Sequence, residues 1–214
     1  MIFEDRNQAA RLLADRLADF AGQDPLVLAI PRGAVPMAKI IAEQLGGDFD
    51  VVLVRKLGAP GNPEFAIGAI DESGWAYLSP WAREVAGDAR YIEQVKEREL
   101  ATIRKRRNQY SPLHPARNPE GRVLIVVDDG LATGATMITA LHALRQRKPA
   151  KLICAVPVAP PDTVEKVQEY ADEVVCLYAS EDFRAVGQFY RNFGQVEDEE
   201  VIRLLAERPA APAG

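Results

Sequence analysis

Short apolar runs alternate along the chain with longer segments in which apolar residues recur every three or four positions. The runs are typical of strands buried on both faces, and the longer segments are typical of amphipathic helices. We predict strands at 26–30, 50–54, 123–127, 152–156 and 173–177. Helices are predicted at 35–45, 135–147, 162–170 and 198–207. A first helix, capped by Asp5 or Asn7, is predicted to run to about Phe20 and to bury Leu12, Leu13, Leu17 and Phe20. This alternation indicates a doubly wound α/β domain with a mainly parallel sheet covered on both faces.

The segment after the second predicted strand interrupts this alternation. Two apolar runs, EFAIGAI and WAYL, flank the turn signal DESG and predict an inserted hairpin. A charged helix follows at 88–109, and its narrow apolar stripe would consist of Ala89, Ile92, Val95, Leu100 and Ile103. A proline-rich connector, SPLHPARNPEG, leads back to the next strand. We therefore expect a single domain over 1–208, with an insertion at about 60–121, and a flexible tail at 209–214.

Composition and charge narrow the functional classes. The 214 residues are 48% hydrophobic and 27% charged, as in ordinary globular proteins. A net charge of −5 argues against bulk attraction to nucleic acid. Neither a secretory signal nor a run of the roughly 20 apolar residues that span a membrane is evident, so we expect a cytoplasmic protein without a membrane partner. Cys154 and Cys176 lie in apolar strands and are expected to be reduced core thiols.

The stretch VLIVVDDGLATGATM places Asp128 and Asp129 side by side at the end of a buried strand. Two adjacent carboxylates are costly there, because each raises the pKa of the other and both lose hydration. Ligands bind at this edge of parallel sheets, and the Gly/Thr-rich turn leads into a helix whose N-terminal N–H groups suit a phosphate. Phosphate beside a diol describes a ribose 5-phosphate, and the carboxylates suit its hydroxyls or a hydrated metal. The alternative is a tight loop capped by an aspartate.

This stretch resembles the phosphoribosyl-pyrophosphate-binding signature of the type I phosphoribosyltransferases, and the similarity to their fold covers roughly residues 26–190. The chain looks like a bacterial group of these proteins whose acceptor is unassigned. The resemblance implies that Asp128 and Asp129 are the catalytic pair, hold the ribose 2- and 3-hydroxyls, and hold Mg²⁺ through water or substrate. It implies a 5-phosphate loop formed by Gly130, Leu131, Ala132, Thr133, Gly134, Ala135 and Thr136.

Two other predicted strand ends resemble family positions. IPRGAVP resembles the pyrophosphate-binding loop, which makes Arg32 and Gly33 its contacts, although a plain strand-to-helix turn is the alternative. VRKLGAP places Arg55 and Lys56 near the same edge, where family members often carry a basic pair. A solvated strand end is the alternative for that pair.

The insertion occupies the place of the family's mobile catalytic loop, but it is long and largely helical. The choice of a basic residue that closes over pyrophosphate stays open among Arg83, Arg90, Lys105 and Arg107, and a solvated helix face is the alternative.

The segment EDFRAVGQFYRNF occupies the place of part of the family's acceptor pocket. Phe183 and Arg184 are the candidates there to contact a flat base. The alternative is that the aromatic residues of this segment pack the C-terminal helix onto the sheet.

The resemblance implies transfer of ribose 5-phosphate from phosphoribosyl pyrophosphate to a small-molecule acceptor such as a nitrogenous base, with release of pyrophosphate and Mg²⁺ as cofactor. No general base emerges, and Glu64 and Asp71 are candidates by position alone. The alternative function is a non-catalytic regulatory protein of the same fold that binds a phosphoribosyl metabolite. The acceptor, the pathway and the oligomeric state, a homodimer included, stay open.

Overall fold

A computed structural model describes residues 1–110 and 116–207, with residue 64 described through its backbone alone. The expected tail at 209–214 and the first part of the proline-rich connector lie outside the described residues. In chain order, the strands are β1 (Leu26–Ala29), β2 (Asp48–Val51), β3 (Val54–Ala59), β4 (Asn62–Asp71), β5 (Ala76–Leu78), β6 (Val123–Val127), β7 (Lys151–Ala159) and β8 (Glu173–Ala179). The α-helices are α1 (Arg6–Arg16), α2 (Val35–Leu45), α3 (Ala82–Ala86), α4 (Ala89–Tyr110), α5 (Ala135–Arg145), α6 (Pro161–Gln168) and α7 (Asp198–Ala206).

Five parallel strands form the central sheet in the order β2-β1-β6-β7-β8. Side chains of each strand alternate between two buried faces, because successive residues point to opposite sides. Ile125 and Val127 of β6 pack in a core with α1, α2 and α7, whereas Leu124 and Val126 pack in a second core with α5 and α6. Helices on both faces of a parallel sheet confirm the predicted doubly wound α/β fold.

The predicted strand at 50–54 is wrong in its boundaries. The central strand β2 ends at Val51, and Val54 begins β3, which pairs antiparallel with β4 in a separate sheet of order β3-β4-β5. Residues 52–54 are all buried, so the apolar run is continuous and its pattern cannot show where the chain leaves the central sheet. Arg55 and Lys56 therefore lie within β3, which we count with the insertion because it belongs to the second sheet, and not in a loop after a core strand.

The inserted hairpin and charged helix are both confirmed. β4 and β5 pair antiparallel, with Gly68 opposite Leu78. α4 packs on β3 and β4 and buries Ile92, Val95 and Ile103, as predicted. Ala89 is exposed, and the buried position between Val95 and Ile103 belongs to Glu99, which is 7% exposed.

The first helix is shorter than predicted. Asp5 caps it by accepting a hydrogen bond from the Gln8 N–H at 2.8 Å, α1 ends at Arg16, and a short 3-10 helix follows at Ala18–Phe20. Leu13, Leu17 and Phe20 are buried as predicted, but Leu12 is exposed.

Two smaller expectations concern the membrane and the thiols. None of the helices in the described ranges has the length and apolar character needed to cross a bilayer. Cys154 is buried, Cys176 is half-buried, and both are free thiols.

Candidate active site

A cavity of about 740 Å³ opens where β1 and β6 end. Its walls come from the loops after these two strands, from β3 and β4, from α4 and from the segment before α7. The structure brings together most of the residues predicted from sequence, since the lining includes Arg32, Gly33, Arg55, Lys56, Asp128, Asp129, every residue of 130–136 and Arg184. Phe183 is not part of this lining.

The two adjacent aspartates have different partners. The Arg6 Nε donates to Asp129 Oδ2 at 2.8 Å, and the Asp129 backbone N–H donates to Asp128 Oδ1 at 2.9 Å. Burial, and then the neighbouring Asp129 carboxylate, raise the pKa of Asp128 well above its usual value. The backbone N–H and the more distant charges of Lys56 and Arg6 oppose this rise. Because burial disfavours its ionised form, Asp128 would gain from a bound cation or hydroxyl donor.

Arg6 is a site residue that the sequence reasoning missed. Its guanidinium also donates to the Gly194 carbonyl at 2.6 Å and lies over the Phe193 ring, 3.9 Å from the centroid. On the other side, the Tyr190 hydroxyl donates to the Asp129 carbonyl at 2.6 Å. A weak signal was available, because a cation in the first turn of a helix is unfavourable beside the helix dipole unless it has a partner elsewhere.

Gly33 lies in close contact with this ion pair. A Cβ at that position would lie 2.3 Å from Asp129 Oδ2 and 3.0 Å from Arg6 Nε, so only glycine fits without displacing one of them. The neighbouring Arg32 Nη1 lies 3.4 Å from Glu197 Oε2 and 3.8 Å from Asp198 Oδ2. The predicted pyrophosphate loop is thus held against both the aspartate pair and the start of α7.

The turn from β6 into α5 presents several unused N–H donors. It is fixed at two points, where the Leu131 N–H donates to the Val158 carbonyl at 2.9 Å and the Thr163 hydroxyl donates to the Ala132 carbonyl at 2.8 Å. Within the described ranges, no protein acceptor takes the amide N–H of Ala132, Thr133, Gly134, Thr136 or Met137. Such amides at a helix N-terminus form a site for an anion.

Gly130 and Gly134 permit the shape of this turn. Gly134 caps α5 in the left-handed region, at φ 77°, which favours glycine. A Cβ on Gly130 would lie 2.7 Å from the Val186 side chain, so that position lets the loop pass close to the wall of the cavity.

Helix α4 contributes Arg98, Glu99 and Arg106 to the cavity. The buried Glu99 carboxylate accepts from Arg55 Nε at 2.9 Å and from Arg98 Nε at 3.1 Å. Glu99 lies within the apolar stripe of α4, and this position was a sequence signal for basic partners that we missed, because a buried charge needs partners. Arg106 lies two helical turns beyond Glu99 and so on the same face of α4.

The four basic candidates of the insertion lie elsewhere. Arg107 pairs with Glu72 of the hairpin and lines a second cavity of about 440 Å³. Arg83, Arg90 and Lys105 are exposed and do not line the cavity at the aspartates.

Comparison with known proteins decides the family. The family model described as the phosphoribosyl transferase domain matches residues 2–193. This chain belongs to the phosphoribosyl transferase family. This match confirms the general resemblance inferred from the aspartate stretch.

Relatives with known structures or curated names support this assignment. A Mycobacterium tuberculosis protein, named provisionally as a phosphoribosyl transferase, is 42% identical over 216 residues, which cover 100% of this chain and 49% of that protein. A Marinomonas ribose-phosphate pyrophosphokinase is 25% identical over 159 residues, covering 70% of this chain and 49% of that enzyme. The crystal structure of TT1426 from Thermus thermophilus is 47% identical, with a TM-score of 0.80 over 97% of this chain and 99% of that chain. The chain thus spans about half the length of these two curated relatives.

The C-terminal aromatic segment of this phosphoribosyl transferase domain is mainly structural. The Phe183 ring packs on Phe189, with centroids 5.3 Å apart, and Phe189 and Tyr190 are buried. Phe193 stacks on Tyr190 at 5.0 Å. These aromatic residues thus pack mainly on one another, and a contact of Phe183 with the acceptor stays a prediction.

Asp71, one of the two general-base candidates, lies away from the cavity at the aspartates. The Asp71 carboxylate accepts from the N–H groups of Ser73 at 2.8 Å and Trp75 at 3.1 Å, so it stabilises the hairpin turn and lines the second cavity. The side chain of Glu64 lies outside the described residues.

Proposed function

We propose that this domain transfers ribose 5-phosphate from phosphoribosyl pyrophosphate to a nitrogenous acceptor and releases pyrophosphate. The observation that carries the proposal is a single cavity that contains an aspartate pair beside unused amide donors at the start of α5. Carboxylates accept hydroxyl protons and helix N-termini bind phosphate, so this combination suits the two ends of a ribose 5-phosphate. Because the chain spans only part of its curated relatives, the proposal concerns the activity of this domain.

Donor binding would use the two sides of the cavity differently. The amides between Ala132 and Met137 would hold the 5-phosphate, whose negative charge is also favoured by the dipole of α5. Asp128 and Asp129 would accept hydrogen bonds from the ribose 2- and 3-hydroxyls. Cationic side chains on the facing walls, Arg32, Arg55, Lys56, Arg98 and Arg106, would hold the pyrophosphate.

The chemical step would move negative charge towards these cations. As the bond between the anomeric carbon and pyrophosphate breaks, positive charge builds on the sugar ring, as in glycoside hydrolysis, and negative charge builds on the leaving group. The arginines of β3 and α4 would stabilise the leaving group, and the aspartates would lie beside the ribose ring. Catalysis would therefore rest on positioning and on charge stabilisation by fixed groups.

The residues present fit a Mg²⁺ ion that is bound jointly with the donor. No cluster of three or more His, Cys, Asp or Glu side chains suited to a metal occurs among the described residues, but Mg²⁺ commonly uses one or two carboxylates, water and substrate phosphates. Asp128 and Asp129 would hold the ion, because both carboxylates line the cavity beside the proposed phosphate site. When bound, Mg²⁺ would neutralise phosphate charge.

Pyrophosphate release tests the proposal. The protein is incubated with phosphoribosyl pyrophosphate, Mg²⁺ and, in turn, purines, pyrimidines and small amines. We expect release that depends on one class of acceptor, is abolished in Asp128→Asn and is unchanged in Asp19→Asn, an exposed aspartate away from the cavity. Donor binding without release for every acceptor would contradict transfer and would indicate a non-catalytic binding protein.

A further inference from the structure

The cavity has an apolar end that none of the proposed donor contacts uses. It is formed by the insertion, through Gly58 of β3, Pro63, Phe65 and Ala66 of β4, and Trp81 at the start of α3. Phe65 is 47% exposed and Trp81 is 37% exposed. Two large aromatic side chains left open to solvent beside a polar cavity indicate a site that an apolar ligand covers.

The hairpin and the turn that follows it bring these two side chains to one cavity. β4 and β5 pair with Gly68 opposite Leu78, and the Ser79 N–H donates to the Ile67 carbonyl at 2.9 Å, which extends this register by one step. Beyond this bond the chain leaves the strand, because the Ala82 N–H donates to the Ser79 carbonyl at 2.9 Å in a turn that places Trp81 at the start of α3. Phe65 of β4 and Trp81 line the same cavity, so both rings belong to one surface.

Neither ring is used in packing against another aromatic ring of the described residues. The C-terminal aromatics differ, because Phe183, Phe189, Tyr190 and Phe193 all take part in ring–ring contacts. The rings on the insertion have no such partner among the described residues, and each remains more than a third exposed.

We propose that Phe65 and Trp81 bind the acceptor, and that the acceptor carries a planar aromatic or heteroaromatic ring. This inference rests on the proposed function. The donor is a polyanionic sugar, whose charged groups gain from amides and arginines, whereas a flat ring gains from stacking on aromatic faces. Acceptor specificity then comes from the inserted hairpin.

Trp81 can report directly on ring binding. The chain has two tryptophans, and the other, Trp75, stacks on His142 with centroids 3.6 Å apart. In a Trp75→Phe variant, which keeps a ring at that stack, Trp81 is the sole source of indole fluorescence. We expect adenine, uracil or nicotinate, with Mg²⁺ and phosphoribosyl pyrophosphate present, to change this fluorescence saturably, and an aliphatic amine not to change it.

Substitutions test the same surface through kinetics and binding. Phe65→Leu and Trp81→Leu should each raise the KM for the acceptor by about tenfold, the order expected for loss of one base–aromatic stack, with the KM for phosphoribosyl pyrophosphate unchanged. Val85→Ala is the matched control, because Val85 is 39% exposed on α3 and does not line the cavity.

The outcomes separate this inference from the transfer reaction. Normal donor binding, with no response of Trp81 to any ring and wild-type acceptor affinity in both leucine variants, would overturn the inference alone. A saturable Trp81 response without donor binding would overturn transfer and support the ring site. Absence of both would overturn both.

Discussion

Arg6 and Asp129 form an ion pair across 123 positions of sequence, with Arg6 Nε 2.8 Å from Asp129 Oδ2. The first turn of α1 thereby contacts the edge of the central sheet at its aspartate pair. The arginine occupies one carboxylate oxygen and partly balances the negative charge of Asp128 and Asp129. This contact connects the stability of the N-terminal helix to the electrostatics of the site.

Removing the arginine should therefore destabilise the fold. Arg6→Ala leaves the Asp129 side chain, which is 16% exposed, unpaired beside a second carboxylate. We expect the free energy of unfolding to fall by about 1–3 kcal/mol, measured by urea denaturation near neutral pH. Arg11→Ala, at an exposed position of the same helix, should change it by less than about 0.5 kcal/mol. Equal effects of the two substitutions would show that the ion pair contributes nothing.

Asp128 should make stability depend on pH in a defined direction. Its pKa is raised in the folded state, so the folded chain holds this proton more tightly than the unfolded chain. Below the ordinary aspartate pKa of about 3.9, Asp128 is protonated in both states and does not change the free energy of unfolding. As pH rises from there towards the raised pKa of the folded state, the free energy of unfolding falls. Above that raised pKa, the whole destabilisation remains.

Asp128→Asn removes this destabilisation while keeping the size of the side chain. The variant should have a higher free energy of unfolding than the wild type at about pH 7, and the difference should shrink as pH falls towards about 4. Denaturant titrations between about pH 4 and pH 7 measure this difference in the free energy of unfolding, with Asp19→Asn as the exposed control. A variant less stable than the wild type at neutral pH would refute this interpretation.

Gly33 should be needed for donor binding because of its contact with the ion pair. In Gly33→Ala the new methyl group would fall 2.3 Å from Asp129 Oδ2 and displace that carboxylate. We expect affinity for phosphoribosyl pyrophosphate, measured by calorimetry, to fall by about tenfold or more. Gly194→Ala is the control, because a Cβ there meets no atom within 4 Å. Normal affinity in Gly33→Ala would exclude this loop from the donor site.

Arg106 should bind pyrophosphate, whereas its neighbour Arg104 should not. Arg106 lines the cavity and Arg104 is exposed. Loss of one charge-assisted hydrogen bond should weaken the binding of magnesium pyrophosphate by at least about tenfold in Arg106→Ala. Arg104→Ala should bind as the wild type does. The same loss in both variants would indicate a general effect of charge and not a contact.

Local pattern was enough to predict most elements of the central sheet, with β2 as the exception. The helix Val35–Leu45 and the strand Val123–Val127 have the predicted boundaries, because each has a uniform period ended by glycine or by polar residues. The aspartate pair was identified as a ligand site because two adjacent carboxylates at a strand end conflict with the requirements of folding alone. The hairpin of β4 and β5 was predicted from the turn residues DESG between its two apolar runs.

Contacts between distant segments could not be predicted in the same way. Arg6 looks like any surface arginine until α1 is packed beside the end of β6, and Arg106 differs from its basic neighbours only through the orientation of α4. The separation of β2 from β3 also depended on tertiary structure, because residues 52–54 are buried in either arrangement.

The central claim is that Asp128 and Asp129 bind a phosphoribosyl donor, and calorimetric titration of phosphoribosyl pyrophosphate with excess Mg²⁺ tests it most directly. The wild type should bind saturably, and binding should weaken strongly without Mg²⁺. The variant with both Asp128→Asn and Asp129→Asn should remain folded by circular dichroism but bind at least about tenfold more weakly. A folded double variant that binds with wild-type affinity would contradict the account.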